Sequence, residues 1–319
     1  MNKHIILSIG AAIVLGGALF AAWVLRQPPA NVAVSSPPLR VAASFYPLAE
    51  FASQIGQDKV AVTNLTPAGA EPHDFDPSPQ DIAALQNSKV FIYNGAGLES
   101  WVNRVLPDLQ KNGVITVNAS QGITLLQGIS EEASASVQPS IDPALADPHF
   151  WLDPVLAQQE VQTIAHALSA ADPSNRAFYE ANAAAYQQKL QELDAAFRQK
   201  LSSCMQKDIV TSHAAFGYMA KRYAFTMLPI AGLSPDEEPA PKRLAQIAEF
   251  ARAHSVHYIF FETLVSPRLS QTVASEIGAQ TITFNPLEGL TPEELQQGKN
   301  YLTVQRENLQ NLSTALSCR

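Results

Sequence analysis

Cysteine is almost missing from this chain. Its 319 residues include two, Cys204 and Cys318, and neither has the paired spacing of a thiolate metal site. Charge is sparse as well, at 16% of residues, and no basic stripe occurs anywhere. The first 35 residues hold Lys3 and Arg26 and no acid; the remainder sets 19 basic against 29 acidic residues, a balance of −10. Such a surface repels nucleic acid, so no nucleic-acid partner is expected. No His-Glu-x-x-His helix and no nucleophile elbow is present, which removes the common signatures of a zinc peptidase or a serine hydrolase. What the chain has is a hydrophobic content of 46%, enough for a globular protein rather than a disordered one.

The N-terminus reads as a targeting segment. Lys3 and His4 precede an uncharged run from Ile5 to Leu25, followed by Arg26, a positive n-region and a long apolar core. The run is long enough to span a bilayer, so residues 1–38 are expected to be a signal peptide or a retained membrane anchor, plus a linker rich in Pro and Ser. Either way the rest of the chain lies outside the cytoplasmic membrane. No cysteine stands near the end of the run, which argues against a lipid anchor. In an oxidising compartment an even cysteine count favours pairing, so Cys204 and Cys318 are expected to form a disulfide that ties down the C-terminal helix, with two free thiols as the alternative.

Beyond the linker, apolar runs and helical patterns alternate. Leu39–Phe45, Val60–Leu65, Val90–Tyr93 and Val114–Val117 read as strands, with helices over Leu48–Ile55, from Ser78 to about Asn87, and over Leu98–Leu109. Ser78 is a good N-cap with Pro79 at the first helical position and Asp81 three residues on. This alternation argues for an α/β fold with a mostly parallel sheet and flanking helices. Residues 119–146, with the adjacent acids Glu131 and Glu132, read as a mobile surface loop. Asp153 caps a helix with Pro154 at its first position. A second helix from about Asn175 to Ser203 places Tyr179, Ala183, Tyr186, Leu190, Leu193 and Phe197 on one face. Its length is that of a whole domain, which marks it as a rigid bar beside two α/β halves. The second half repeats the pattern: strands at Ile209–Thr211, Phe225–Ile230, Tyr258–Phe261 and Thr281–Phe284, a helix over Pro241–Ala253, one capped by Ser266-Pro267, and a long C-terminal helix. The expected division is an N-terminal lobe at 39–153, a helical connection at 154–204 and a C-terminal lobe at 205–319.

Seven histidines occur, and three of them stand in unusual settings: Glu71-Pro72-His73-Asp74, Asp147-Pro148-His149-Phe150-Trp151-Leu152-Asp153-Pro154 and Ser212-His213-Ala214-Ala215-Phe216. His73 and His213 follow predicted strands, as does Glu288 in Asn285-Pro286-Leu287-Glu288-Gly289-Leu290. Ligands of open α/β sheets lie outside the carboxyl ends of strands, so a shared cation site is the natural reading. His166 in an apolar helix, His254 near a helix C-terminus and His257 at a strand start read as packing or surface residues. Asp153 is expected to cap its helix and also to orient a ligand. Phe150, Trp151 and Phe216 are expected to wall the cleft, Glu262 to make a structural hydrogen bond, and Asp236–Glu238 to be a solvated loop.

These four segments, in this order and spacing, resemble the metal-specific solute-binding proteins of ABC transporters, the zinc and manganese cluster. The resemblance runs from Leu39 to the C-terminus. It implies two α/β lobes joined by a long rigid helix, with a metal ion in the cleft that is passed to a permease; a monomer is expected. It places ligands at His73, His149 and His213. Manganese members of the cluster carry a carboxylate at the third position, whereas zinc members carry histidine; His213 therefore implies Zn²⁺, since imidazole suits zinc and harder oxygen ligands suit manganese. The fourth position is Glu288, with water, Glu71 or Glu262 as alternatives. The zinc is cargo rather than a catalytic cofactor, and the chain is not expected to be an enzyme. A Mn²⁺ or other divalent carrier is the alternative, with a zinc hydrolase built on His73, His149, His213 and Glu262 behind it. The His-rich loop of some zinc members is missing, because residues 119–146 contain no histidine.

Overall fold

The computed structural model describes residues 37–130, 140–236 and 239–319. The N-terminal run, Glu131 and Glu132, and Glu237 and Glu238 lie outside the described residues. Within them no helix is long and apolar enough to cross a membrane.

Residues 38–319 form one unit built on two four-stranded parallel sheets. The first contains β1 (Leu39–Ala43), β2 (Val60–Asn64), β3 (Val90–Tyr93) and β4 (Ile115–Asn118), in the order β2-β1-β3-β4. The second contains β7 (Asp208–Thr211), β8 (Thr226–Pro229), β9 (Tyr258–Phe261) and β10 (Gln280–Thr283), in the order β10-β9-β7-β8. Counted from its own first strand, each sheet has the same winding: the first strand lies between the second and third, with the fourth outside the third. The two lobes are therefore topological repeats, although their sequences differ.

Alternation along the strands explains why both sheet faces are covered. Val41, Ala43, Val90 and Ile92 face a core that they share with Ile209, Phe260, Phe284 and Leu312 of the second lobe. Ala42 and Phe91 face the other way, with Trp101, into a cluster confined to the first lobe. Val210 and Ile259 do the same with Ile247 and Val273 in the second. This is the period-two signature of strands buried on both sides. Because one core runs through both lobes, their relative motion is limited to what that core tolerates.

The helices follow the caps. In α1 (Tyr46–Gly56) and α2 (Pro79–Gln86) a proline lies in the first turn, and Ser78 with Asp81 forms a full capping box. The third, α3 (Val102–Lys111), begins four residues later than the apolar pattern predicts. In α4 (Pro154–Ala171), the Asp153 side chain accepts from the N–H groups of Val155 and Leu156. The long helix α5 (Arg176–Leu201) has 26 residues, about 39 Å at 1.5 Å per residue. Its buried face carries the six predicted residues and Leu201. In the second lobe lie α6 (Gly217–Tyr223), α7 (Pro241–Ala253) and α8 (Arg268–Ile277), followed by the short α9 (Pro292–Gln296) and the C-terminal α10 (Tyr301–Ala315). At α8 the expected serine cap is absent: Pro267 itself occupies the N-cap position, with no side-chain cap bond.

The described residues within 119–146 are not the open loop expected, and 131–139 lie outside the described residues. They include an antiparallel hairpin of β5 (Gln127–Ser130) and β6 (Ser140–Ala146). The register slips between Gln127, opposite Ala146, and Gly128, opposite Asp142, so the stretch holding Pro143 is bulged out. A two-stranded sheet consists of edges, where proline is tolerated, and this is why a segment without strand-like alternation still pairs.

Cys204 and Cys318 form a disulfide, 114 residues apart in sequence. It fixes the end of the chain to the end of the long helix. Closing a loop of that size stabilises the fold by about 2–4 kcal/mol, chiefly by restricting the unfolded chain. Reduction is expected to move the denaturant midpoint down accordingly; coincident unfolding curves for oxidised and reduced protein would show that the bridge adds nothing.

Candidate metal centre

The three motif histidines and Glu288 converge at the carboxyl ends of the two sheets. His73 lies in the loop after β2, His149 immediately before the 3₁₀ turn Phe150–Leu152, His213 two residues after β7, and Glu288 in the loop after β10. His149, His213 and Glu288 are fully buried, and the His73 side chain keeps 10% exposure, so the cluster opens to solvent at His73.

Five of the six donor separations are nearly equal. His149 Nε2 lies 3.3 Å from His73 Nε2 and 3.3 Å from His213 Nε2. Glu288 Oε1 lies 3.3 Å from His73 Nε2, 3.3 Å from His149 Nε2 and 3.2 Å from His213 Nε2. All donor atoms fall within 4.8 Å of one another. Ligands about 2.0 Å from a tetrahedral zinc ion are separated by about 3.3 Å along each edge.

Local structure holds each donor in place. Asp147 Oδ1 accepts from the His149 backbone N–H at 3.0 Å and lies 2.9 Å from Nδ1 of its ring. Glu262, directly after β9, lies with Oε1 2.6 Å from His213 Nδ1 and also accepts from the Ser212 hydroxyl. Both rings thus have Nδ1 occupied by a carboxylate and aim Nε2 at the common centre. A carboxylate behind a metal-binding histidine fixes its orientation and raises its basicity. In the Glu288 loop, Leu287 adopts φ +57°, its N–H donating to Asn285 Oδ1 at 2.7 Å. Asn285 in turn exchanges two bonds with Asn308 of α10. The loop is tied to the His73 segment by Gly69 N–H to Leu290 O at 3.0 Å. The Trp151 ring lies 5.1 Å from the His149 ring, and its indole N–H donates to Pro286 O at 2.8 Å.

The electrostatics follow from burial and these carboxylates. Burial disfavours the His213 imidazolium, but Glu262 and Glu288 overturn this and hold His213 well above the usual histidine range. Burial is likewise outweighed at His149, raised by Asp147 and Glu288. At His73 burial wins, and its basicity is lowered. Burial opposes the charge on Glu288, yet His213 first and the hydrogen bonds from all three rings hold its carboxyl well below the ordinary range. Glu71 is pushed up to about 10 by burial and then by the charge of Glu288. Its Oε1 accepts from the His73 N–H, so it supports the loop.

The remaining expectations divide. His166 is exposed and bonded to Gln162, His254 is stacked on Phe250 and paired with Asp208, and His257 is exposed; all three are surface residues. Trp151 lies beside the cluster as expected, whereas Phe216 stacks on Phe284 at 3.7 Å in the core below it and Phe150 packs towards Tyr218. Asp153 caps its helix but orients no site histidine, because its carboxylate is taken by Arg222; Asp147 holds that role. Glu262 makes the expected structural hydrogen bond, from the Ser212 hydroxyl, and holds a site histidine as well. Sequence reasoning also passed over Asn94 and Glu99. Glu99 accepts from Ser44, Asn94 and Gly95 at the ends of β1 and β3, and Asn94 Nδ2 donates to Pro148 O at 3.0 Å. The first sheet thereby supports the backbone just before His149.

The sequence model of the family described as "Zinc-uptake complex component A periplasmic" matches residues 41–315. The chain belongs to this family. It is 42% identical over 279 residues to the high-affinity zinc uptake system protein ZnuA of Bacillus subtilis, covering 87% of this chain and 88% of that one. The zinc-binding lipoprotein AdcA of Streptococcus pneumoniae is 40% identical over 275 residues, and there the chain spans 55% of the relative's length. Among solved structures, the Zn(II)-bound ZnuA-like domain of the S. pneumoniae AdcA has a TM-score of 0.75 at 38% identity, covering 88% of this chain and 99% of that domain. The family's two-lobed architecture is the one described above, with a long helix joining two parallel sheets.

Proposed function

We propose that this chain binds one Zn²⁺ outside the cytoplasmic membrane and delivers it to an ABC permease for import, with His73, His149, His213 and Glu288 as the ligands. The observation that carries this is the set of five donor separations of 3.2–3.3 Å, the spacing that a tetrahedral zinc ion requires. Three imidazoles and one carboxylate favour zinc over manganese, which prefers more oxygen ligands and higher coordination. The relatives named as zinc uptake and zinc-binding proteins support the same metal. A catalytic zinc keeps a position open for water or substrate; here a protein carboxylate stands at the fourth corner, and three of the four donors are fully buried. This argues against a catalytic zinc.

The division into lobes at 39–153 and 205–319, bridged by 154–204, assigns His73 and His149 to one side of the cleft and His213 and Glu288 to the other. Capture then couples the lobes, and release requires the permease to draw them apart. The N-terminal run accounts for export from the cytoplasm, and the protein works as a monomer. Elemental analysis of the purified protein should return one equivalent of zinc, and Mn²⁺ should fail to displace it at a hundredfold excess. Equal competition by Mn²⁺ would overturn the choice of metal, and failure to bind either ion would overturn the reading as a whole.

A further inference from the structure

We infer that Gly217 and Tyr218, which open the helix after His213, set the position of Asp147 and through it the aim of His149, so that the second lobe positions a ligand of the first. The inference rests on the zinc-binding reading above. Asp147 is 4% exposed, and its Oδ1 is committed to the backbone and ring of His149. Its other oxygen faces Gly217: a Cβ at that position would come within 2.7 Å of Asp147 Oδ2. The backbone gives no separate reason for glycine there, because Gly217 is absent from the residues with positive φ. Space for the carboxylate is the reason. Leu126, the next nearest neighbour, would be at an ordinary 3.8 Å.

Tyr218 fixes the same residue from its backbone side. Its hydroxyl accepts from the Leu126 N–H at 2.9 Å and donates to the Asp147 carbonyl at 2.8 Å, while the Asp147 N–H donates to Leu126 O at 2.9 Å. These three bonds close a knot at the foot of the β5/β6 hairpin, with Tyr218 only 4% exposed. The side chain and the carbonyl of Asp147 are thus both placed by consecutive residues of α6, which starts four residues after His213. A movement of α6 away from the hairpin foot frees Asp147 and, with it, the His149 ring. Opening of the lobes would therefore loosen two corners of the site together, His213 directly and His149 through Asp147. Gly217 and Tyr218 are positioning residues: neither reaches the metal.

A double-mutant cycle tests this. Zinc dissociation constants would be measured by chelator competition for the parent, Gly217→Ala, Asp147→Ala and the double variant. Loss of a carboxylate behind a ligand histidine costs about 10–100-fold in metal affinity, and Gly217→Ala is expected to fall in that range. In the Asp147→Ala background the same substitution should change affinity by less than about twofold. An equal penalty in both backgrounds, or parent-like binding by Gly217→Ala, would overturn the inference. Tyr218→Phe, which keeps the ring, serves if Gly217→Ala does not fold. It should weaken zinc by about tenfold and alter the visible bands of the Co²⁺-substituted protein; parent affinity with an unchanged Co²⁺ spectrum would overturn the part assigned to Tyr218. A parent that binds no zinc refutes the function proposed above, whereas a zinc-binding parent with an indifferent Gly217→Ala refutes this inference alone.

Discussion

Replacing His213 with alanine is expected to weaken zinc binding by more than about a hundredfold, beyond the 10–100-fold typical of residues behind the ligands. The substitution removes one of four donors and disturbs the other three. His213 Nε2 lies against both His149 Nε2 and Glu288 Oε1, so its loss leaves one corner of the tetrahedron to water. It also strands Glu262, which is 2% exposed and would keep Ser212 as its remaining partner of the two that Oε1 now has. A buried carboxylate that loses one of its two partners is destabilised by up to about 1–3 kcal/mol, so the metal-free variant should also melt earlier. Melting without metal and chelator competition with metal separate the two losses. Glu288→Gln is the comparison. It keeps shape and an oxygen donor while discarding the charge, and should bind zinc more weakly than the parent but more tightly than His213→Ala. Unchanged affinity in Glu288→Gln would mean that water fills the fourth corner, and parent-like affinity in His213→Ala would mean that the site has been misplaced.

The parts legible in the sequence were those governed by local rules. The strand runs were readable because both sheet faces are buried, and the long helix because its apolar positions return every three or four residues to one face. Ser78 and Asp153 announced helix starts through chemistry confined to a single turn. His73, His149, His213 and Glu288 stood out through their motifs and their places after strands. What escaped depends on contacts between distant segments. Asp147 lies two residues before His149, inside a quoted motif, yet Asp153 in the same motif looked equally able to orient a ligand; the choice is made by Arg222, 69 residues away, which takes Asp153. Asn94 and Glu99 belong to no motif and matter because the first sheet ends beneath Pro148. The hairpin was hidden because a two-stranded edge tolerates the Gly, Ser and Pro composition that otherwise signals a loop. Gly217 could not be distinguished from an ordinary helix-start glycine without the carboxylate that fills its missing side chain.

Zinc affinity should fall steeply as the pH is lowered, and the structure gives the sign. His213 faces Glu262, Glu288 and His149; His149 faces Asp147, Glu288 and His213; Glu71 approaches the same centre from the His73 loop. In the metal-free protein the carboxylates outweigh burial and raise both His213 and His149 above the usual histidine value, so these rings keep their protons to higher pH than a free histidine, while burial lowers His73. Only neutral imidazole binds metal, so zinc must expel those protons. Each proton released changes the affinity by about tenfold per pH unit in the range where the free site is protonated. Between pH 7.5 and 5.5 the dissociation constant should therefore rise by at least about a hundredfold, with the decline beginning above the ordinary histidine value of about 6.5. Calorimetric titration in two buffers of different ionisation enthalpy counts the protons directly, and between one and two per zinc are expected near neutrality. Heats that do not depend on the buffer would show that the rings are already neutral, and that the carboxylates behind them orient the ligands without holding their protons.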